Sequence, residues 1–137
     1  MTSDAQPTGA DAQPAVTFRA ATLDDGAAMW RIARDSQVLD VNTSYAYLLM
    51  ARDFGAHSAV AEVGGEVVGY CMSYLRPQDP DTVFVWQIAV DASQRGRGLA
   101  GRLLDAVVDA TGAAPPIERG FGFLAHGARY VLLSVVK

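Results

Sequence analysis

Residues 82–110 read TVFVWQIAVDASQRGRGLAGRLLDAVVDA, an apolar strand running into an Arg/Gly turn and then into an amphipathic helix. Over residues 82–90 β-branched and aromatic side chains dominate, and neither alternating set is polar. Val83, Val85 and Ala89 fall on one side, Phe84, Trp86, Ile88 and Val90 on the other. A strand of this kind is buried on both faces. Gln87 alone interrupts it, and an amide in an apolar strand requires a hydrogen-bond partner, either backbone or a bound substrate. Beyond the turn, Leu99, Leu103, Ala106, Val107 and Ala110 recur at helical spacing while Arg102, Asp105 and Asp109 fall elsewhere. One side of that helix therefore packs on the sheet.

The turn joining strand to helix has the composition of a phosphate cradle. Gly96 and Gly98 let the backbone approach a ligand closely, the helix N-terminus offers free N–H groups and a positive dipole end, and Arg95 and Arg97 add charge. The run Gly96-Arg97-Gly98-Leu99-Ala100-Gly101 also satisfies the G-x-G-x-x-G pattern of dinucleotide-binding turns, with Glu118 near the expected distance beyond. That reading fails on the approach to the glycines. A dinucleotide turn leaves its strand almost directly into the first glycine, whereas here Asp91 to Arg95 intervene. The pattern that remains, Arg95-x-x-Gly98-x-Ala100, resembles the R/Q-x-x-G-x-G/A acyl-CoA pyrophosphate loop of the GCN5-related N-acetyltransferases (GNAT). Its plain alternative is a Gly-containing turn with two solvated arginines.

At 137 residues, half of them hydrophobic (50%), the chain is long enough to bury a single core. A net charge of −4 with scattered arginines argues against nucleic acid as a partner, because a basic stripe is the usual footprint. Residues 1–15 carry neither a basic residue nor an apolar run, and read as a disordered tail rather than a signal peptide or anchor. No stretch reaches the roughly 18 apolar residues of a membrane span, and the single cysteine, Cys71, has no partner for an internal disulfide. The expectation is a soluble, cytoplasmic protein. Cys71 lies in an apolar run and reads as a core thiol rather than a nucleophile. His57 and His126 lack the paired spacing of a zinc or iron site, so no metal is expected.

Along the chain, residues 16–20 read as a first strand. Thr22-Leu23-Asp24-Asp25 then forms a helix start in which Thr22 or Asp24 supplies the cap. A helix to about Ser36 buries Ala28 and Ile32, together with Met29 and Ala33, and a second helix covers residues 44–53. Residues 58–63 and 67–74 flank Gly64-Gly65, a two-residue hairpin signal, so these strands are antiparallel neighbours. The run from Arg76 to Asp81, with prolines at 77 and 80, breaks the pattern before the strand at 82. The predicted order is β-α-α-β-β-β-α, the front half of the GNAT fold. That implies an α/β (α+β) domain with a mixed central sheet flanked by helices, spanning residues 16–111.

Three marks narrow the resemblance: Leu39-Asp40-x-Asn42-x-Ser44-Tyr45, the prolines Pro77 and Pro80 followed by Asp81, and Phe84-Val85-Trp86-Gln87. Together with the Arg/Gly loop they are similar to the L-2,4-diaminobutyrate acetyltransferases of ectoine biosynthesis, across residues 17–109. The resemblance implies transfer of acetyl from acetyl-CoA to the N4 amine of L-2,4-diaminobutyrate, by direct attack in a ternary complex without an acyl-enzyme. It assigns the cofactor to Arg95, Gly96, Arg97, Gly98, Leu99 and Ala100, with the backbone of Val90 beside the thioester and pantetheine arm. Asp40, Tyr45, Trp86 and Gln87 are candidate substrate contacts. For three of them a structural role competes: a loop or helix cap for Asp40, core packing for Trp86, and backbone bonding for Gln87.

An alkyl ammonium is neutral to only about one part in 10³ at pH 7, so the reaction needs a proton acceptor. The central strand holds no carboxylate, and Asp40, Asp81 or a water chain are the candidates; no catalytic residue is assigned. After Ala110 the resemblance fails. Residues 112–137 are a divergent segment with one expected strand, from Tyr130 to Val136, and without the family's closing helix. We read this C-terminal part as altered, for example by a reading-frame change. An exposed sheet edge there favours pairing with another chain, and a homodimer is the expected partner state. Two alternatives follow: a degenerate acyl-CoA-binding module without turnover, and an acetyltransferase for another small amine.

Overall fold

The computed structural model describes residues 14–36, 41–111, 117–123 and 129–136. The elements run β1 (Val16–Ala20), α1 (Gly26–Ser36), α2 (Ser44–Asp53), β2 (Ala59–Val63), β3 (Glu66–Arg76), β4 (Asp79–Val90), α3 (Leu99–Thr111), β5 (Ile117–Phe123) and β6 (Arg129–Val136). The predicted order holds as far as α3. Beyond it lie two strands where the sequence suggested one, and Ile117–Phe123 is the addition. The 1–15 tail falls outside the described residues except for Pro14 and Ala15.

The strands form one six-stranded sheet in the order β1-β2-β3-β4-β6-β5. Every ladder is antiparallel, which corrects the expected mixed sheet. The reason is topological. The α3 crossover makes β4 and β5 run the same way, but β6 returns between them and pairs antiparallel with both. The Gly64-Gly65 hairpin forms as predicted, with φ of 58° and 84°, both in the region glycine enters without steric cost. The proline run is no break: Pro77 and Gln78 make a tight turn, and Arg76 pairs directly with Asp79.

Two apolar clusters cover the two faces. On one, Met29, Ile32 and Ala33 of α1 and Tyr47 and Ala51 of α2 pack on Val60, Val67, Tyr70, Met72 and Ala89. On the other, Leu99, Leu103 and Val107 of α3 pack on Ala59, Ala61, Val68, Cys71, Val83 and Val85. Ala110, placed on the buried side by its spacing, is exposed at the helix end.

The alternation predicted for β4 is broken. Gln87 pairs with Met72 and Val85 with Ser73, so Trp86 is an extra residue opposite β3. This bulge rephases the strand. Val83 and Val85 share the α3 face with Ile88 and Val90, while Trp86 and Ala89 face α1 and α2. Consecutive residues on one side of a bulge project together, and Gln87 accordingly also faces α1 and α2.

At the other end of α1, Asp25 is buried and accepts two hydrogen bonds from the Arg19 guanidinium, at 2.8 and 2.9 Å, and one from the Thr22 N–H at 2.8 Å. Burial pushes the Asp25 pKa up, but these donors outweigh it and hold the group below the ordinary carboxylate value. Of the two predicted caps, Thr22 is the residue engaged. It precedes a short 3-10 turn that leads into α1.

Candidate acetyl-transfer site

The Arg/Gly turn folds as its composition demands. Asp91 caps a short 3-10 turn, its carboxylate accepting the Ser93 N–H, and its own N–H bonds the Val68 carbonyl at 2.7 Å. Gly96 and Gly98 then take φ of 84° and 70°, where a side chain is strained. The Gly98 carbonyl accepts the first helical bond of α3 from Arg102, so the N–H groups of Leu99, Ala100 and Gly101 have no carbonyl one turn back to bond. A Cβ at Gly96, Gly98 or Gly101 would meet no atom within 4 Å. Open space above a row of free N–H groups at a helix N-terminus is what a phosphate requires, and the residues fit one.

Arg95 is exposed at this mouth, whereas Arg97 is half-buried and donates to Gln94 Oε1 and to the Pro14 carbonyl. Val90 and Arg95 border a narrow cleft of ≈ 30 Å³ together with Ile32 and Ser36 of α1. Arg31 of α1 lies 3.6 Å from the Asp91 carboxylate and ties the loop to the helix layer. β6 pairs with β4 only at Thr82 and Val83. From Phe84 to Val90 the β4 edge turned away from β3 therefore has no strand beside it among the described residues.

On the α2 side of the bulge, a groove of ≈ 620 Å³ is lined by Asn42, Ala46, Leu49, Met50, Asp53, Phe54, Tyr74, Pro77 and Trp86. Its wall is aromatic. Phe54 and Tyr74 pack as tilted rings with centroids 5.3 Å apart, and Tyr74 packs on Phe84 at the same distance. Arg52 hydrogen-bonds Asp53 and holds its carboxyl below the usual range, so Asp53 brings negative charge to the groove as a weak base.

The candidate substrate residues separate. Trp86 lines the groove. Gln87 does not: it is 1% exposed, and its Oε1 accepts the Tyr47 hydroxyl at 3.0 Å and the Tyr70 hydroxyl. Two of its partners are thus tyrosine hydroxyls, a class of partner the sequence had not suggested. Tyr45 is 65% exposed and takes no part in the groove lining; the tyrosine against Trp86 is Tyr47, at 6.0 Å between centroids. Helical phase was the available signal. Tyr47 shares the inward side of α2 with Ala51, while Tyr45 is about 200° away from it. Asp40 and the Asp81 side chain lie outside the described residues. Asn42, Phe54 and Tyr74 enter the groove from three separate segments, and no local pattern announced them together.

A family model described as "Acetyltransferase (GNAT) family" matches residues 26–115, which include the loop, the bulge and α1 to α3. The chain belongs to the acetyltransferase (GNAT) family. Within that family it is 56% identical over 92 residues to the L-2,4-diaminobutyric acid acetyltransferase of Nocardia farcinica, covering 67% of this chain and 48% of the relative. To the enzyme of the same name from Streptomyces coelicolor it is 60% identical over 86 residues, 62% of this chain and 51% of that one. The chain thus spans about half the length of the curated relatives it matches.

Among solved structures, the fold is similar to that of diaminobutyrate acetyltransferase EctA from Paenibacillus lautus in complex with L-2,4-diaminobutyric acid and coenzyme A. The TM-score is 0.74 at 24% identity, over 90% of this chain and 96% of that one. It is also similar to Ard1 from Thermoplasma volcanium, with a TM-score of 0.67 at 20% identity, over 89% and 98% of the two chains. These likenesses establish the GNAT fold, an α+β sheet flanked by helices. Among the described residues no cluster of His, Cys, Asp or Glu is arranged to hold a metal ion, and no helix is long and apolar enough to cross a membrane.

Proposed function

We propose that this chain transfers the acetyl group of acetyl-CoA to the N4 amine of L-2,4-diaminobutyrate, the step that supplies N4-acetyl-L-2,4-diaminobutyrate for ectoine biosynthesis in the cytoplasm and hence for osmoprotection. The observation that carries the proposal is one junction. At the β4 bulge, the open strand edge leading from the Arg/Gly loop meets the aromatic groove that holds Trp86. The similarity to the Nocardia farcinica and Streptomyces coelicolor relatives supports this choice of amine.

Acetyl-CoA, when bound, supplies an activated thioester carbonyl. The backbone N–H groups from Gly96 to Ala100 and the Arg95 guanidinium hold its pyrophosphate, and the Val90 backbone aligns its pantetheine arm along β4. Trp86 packs against the short aliphatic body of the amine, and Asp53 attracts its ammonium through the groove. Catalysis then rests mainly on positioning. A second copy of the chain pairs at the β5 end of the sheet, where no further strand follows among the described residues.

A second reading, an acyl-CoA-binding module without turnover, is favoured by the groove's one described carboxylate being tied to Arg52. Free-thiol release from acetyl-CoA decides between them. The purified protein is offered diaminobutyrate, ornithine, lysine and polyamines in turn. Release with diaminobutyrate above all others is expected. Coenzyme A binding with no release for any amine establishes the non-catalytic module, and absence of binding overturns the loop assignment.

A further inference from the structure

Behind the groove, three buried polar side chains from three elements meet at one atom. Tyr47 of α2 and Tyr70 of β3 are each 0% exposed, and both donate their hydroxyls to Oε1 of Gln87 on β4. Tyr47 and Tyr70 also touch edge to face, with centroids 6.4 Å apart. Gln87 immediately follows the bulge residue Trp86. Without the bulge, Trp86 would face Ser73, and Val83 and Val85 would turn from the α3 cluster toward α2. The apolar residues of β4 resist that slip only weakly, because both faces of the strand are apolar. An amide tied to two hydroxyls resists it strongly, since moving Gln87 leaves three polar groups buried without those bonds.

We propose that Gln87 is a positioning residue. Held by Tyr47 and Tyr70, it pins the β4 bulge and fixes α2 against β4, so that Trp86 stands in the groove at a set distance from the opposite wall. Gln87 acts through Trp86 and touches no substrate. The consequence for acceptor binding rests on the groove being the amine site, as proposed above; the consequence for Trp86 does not.

The test uses a Trp30→Phe background, which leaves Trp86 as the only tryptophan. Trp30 stacks under the Arg34 guanidinium and packs on the rim of the α1 cluster, but lines neither the groove nor the cleft at Arg95. In that background Gln87→Met keeps the length of the side chain and removes the acceptor. Trp86 emission is expected to shift to the red with about twofold greater acrylamide quenching, and KM for the amine to rise about tenfold with KM for acetyl-CoA nearly unchanged. Tyr70→Phe, a milder change, gives the same pattern at smaller amplitude and serves if Gln87→Met does not fold.

The triple variant Tyr47→Phe, Tyr70→Phe, Gln87→Met separates positioning from stability. Replacing these three bonded groups together recovers part of the lost stability, while Trp86 emission stays shifted. Emission unchanged in folded Gln87→Met or Tyr70→Phe overturns the proposal, as does a parallel rise in both KM values. If no amine is turned over, the emission and quenching still decide it, and the failure belongs to the proposed reaction alone.

Discussion

The two faces of the sheet are built from different chemistry. Under α3 the buried members are aliphatic apart from Cys71, and Leu99, Leu103 and Val107 meet them at helical spacing. Under α1 and α2 the core carries Tyr47, Tyr70 and Gln87, joined by hydrogen bonds, and opens into an aromatic groove. The first face supports a ligand site made of backbone, the loop at the head of α3. The second supports one made of side chains. An aliphatic interface sets how firmly an element is held and leaves its register loosely specified; a buried polar group specifies register at a cost in desolvation.

The largest break in this comparison is Leu103→Ala. Leu103 is 0% exposed at the centre of the α3 face. The substitution should cost about 3 kcal/mol in a urea titration, from lost burial and the cavity left behind. Acceptor affinity per folded molecule should not change. A loss below about 1 kcal/mol would mean that the face collapses around the gap and is less tightly packed than its burial implies.

Gly98→Val tests the backbone-built site directly. A β-branched residue at a φ of 70° is strained by about 1–2 kcal/mol, and its side chain enters the open space over the loop. Coenzyme A affinity measured by calorimetry should fall about tenfold or more, with the groove's aromatic fluorescence unaltered. Unchanged affinity would remove the phosphate from this turn.

Asp25→Asn probes the polar side of the fold at the far end of α1. Because the folded pKa of Asp25 lies below the unfolded value of about 3.9, its stabilisation is present above that pH and is lost as pH falls through the folded pKa. Wild-type stability should therefore decline in that acidic window, and the asparagine variant should show a flatter decline from a starting point about 1 kcal/mol lower, a modest figure because Arg19 is half-exposed. Parallel acid-unfolding curves for the two proteins would show that the Arg19 pair contributes nothing.

The α3 face and the cofactor loop were legible in the sequence because their signals are local. Helical spacing named Leu99, Leu103 and Val107, and Gly96 and Gly98 announced a backbone that must turn through positive φ. The α2 face was less so. The β4 bulge leaves no mark in an apolar strand, where a one-residue phase change looks like uninterrupted burial. Gln87 signalled that a partner existed, and only the packed structure could show that two tyrosine hydroxyls are among its partners. Tyr45 stood out through the family motif, whereas Tyr47, which packs against Trp86, carries no motif and is marked only by its helical phase with Ala51. The all-antiparallel sheet follows from β6 inserting between β4 and β5, a long-range pairing that no neighbouring residues encode.

Cys71 offers the smallest effect and the cleanest check on which face is dry. It pairs with Ile88 inside the α3 cluster, and burial pushes its thiol up to about 12. At pH 8 the thiolate, which is the reactive form, is then about 10⁻⁴ of the population, and an alkylating reagent has no path to it. Iodoacetamide should leave the folded protein unmodified for as long as it takes to label the urea-unfolded chain completely. The Leu103→Ala variant should label faster, in proportion to its larger unfolded fraction, because Leu103 belongs to the same cluster. Native-state labelling at the unfolded rate would place Cys71 outside the core. The bulge at Trp86 would then have to be redrawn, since the same register that buries Cys71 under α3 turns Gln87 toward the tyrosines.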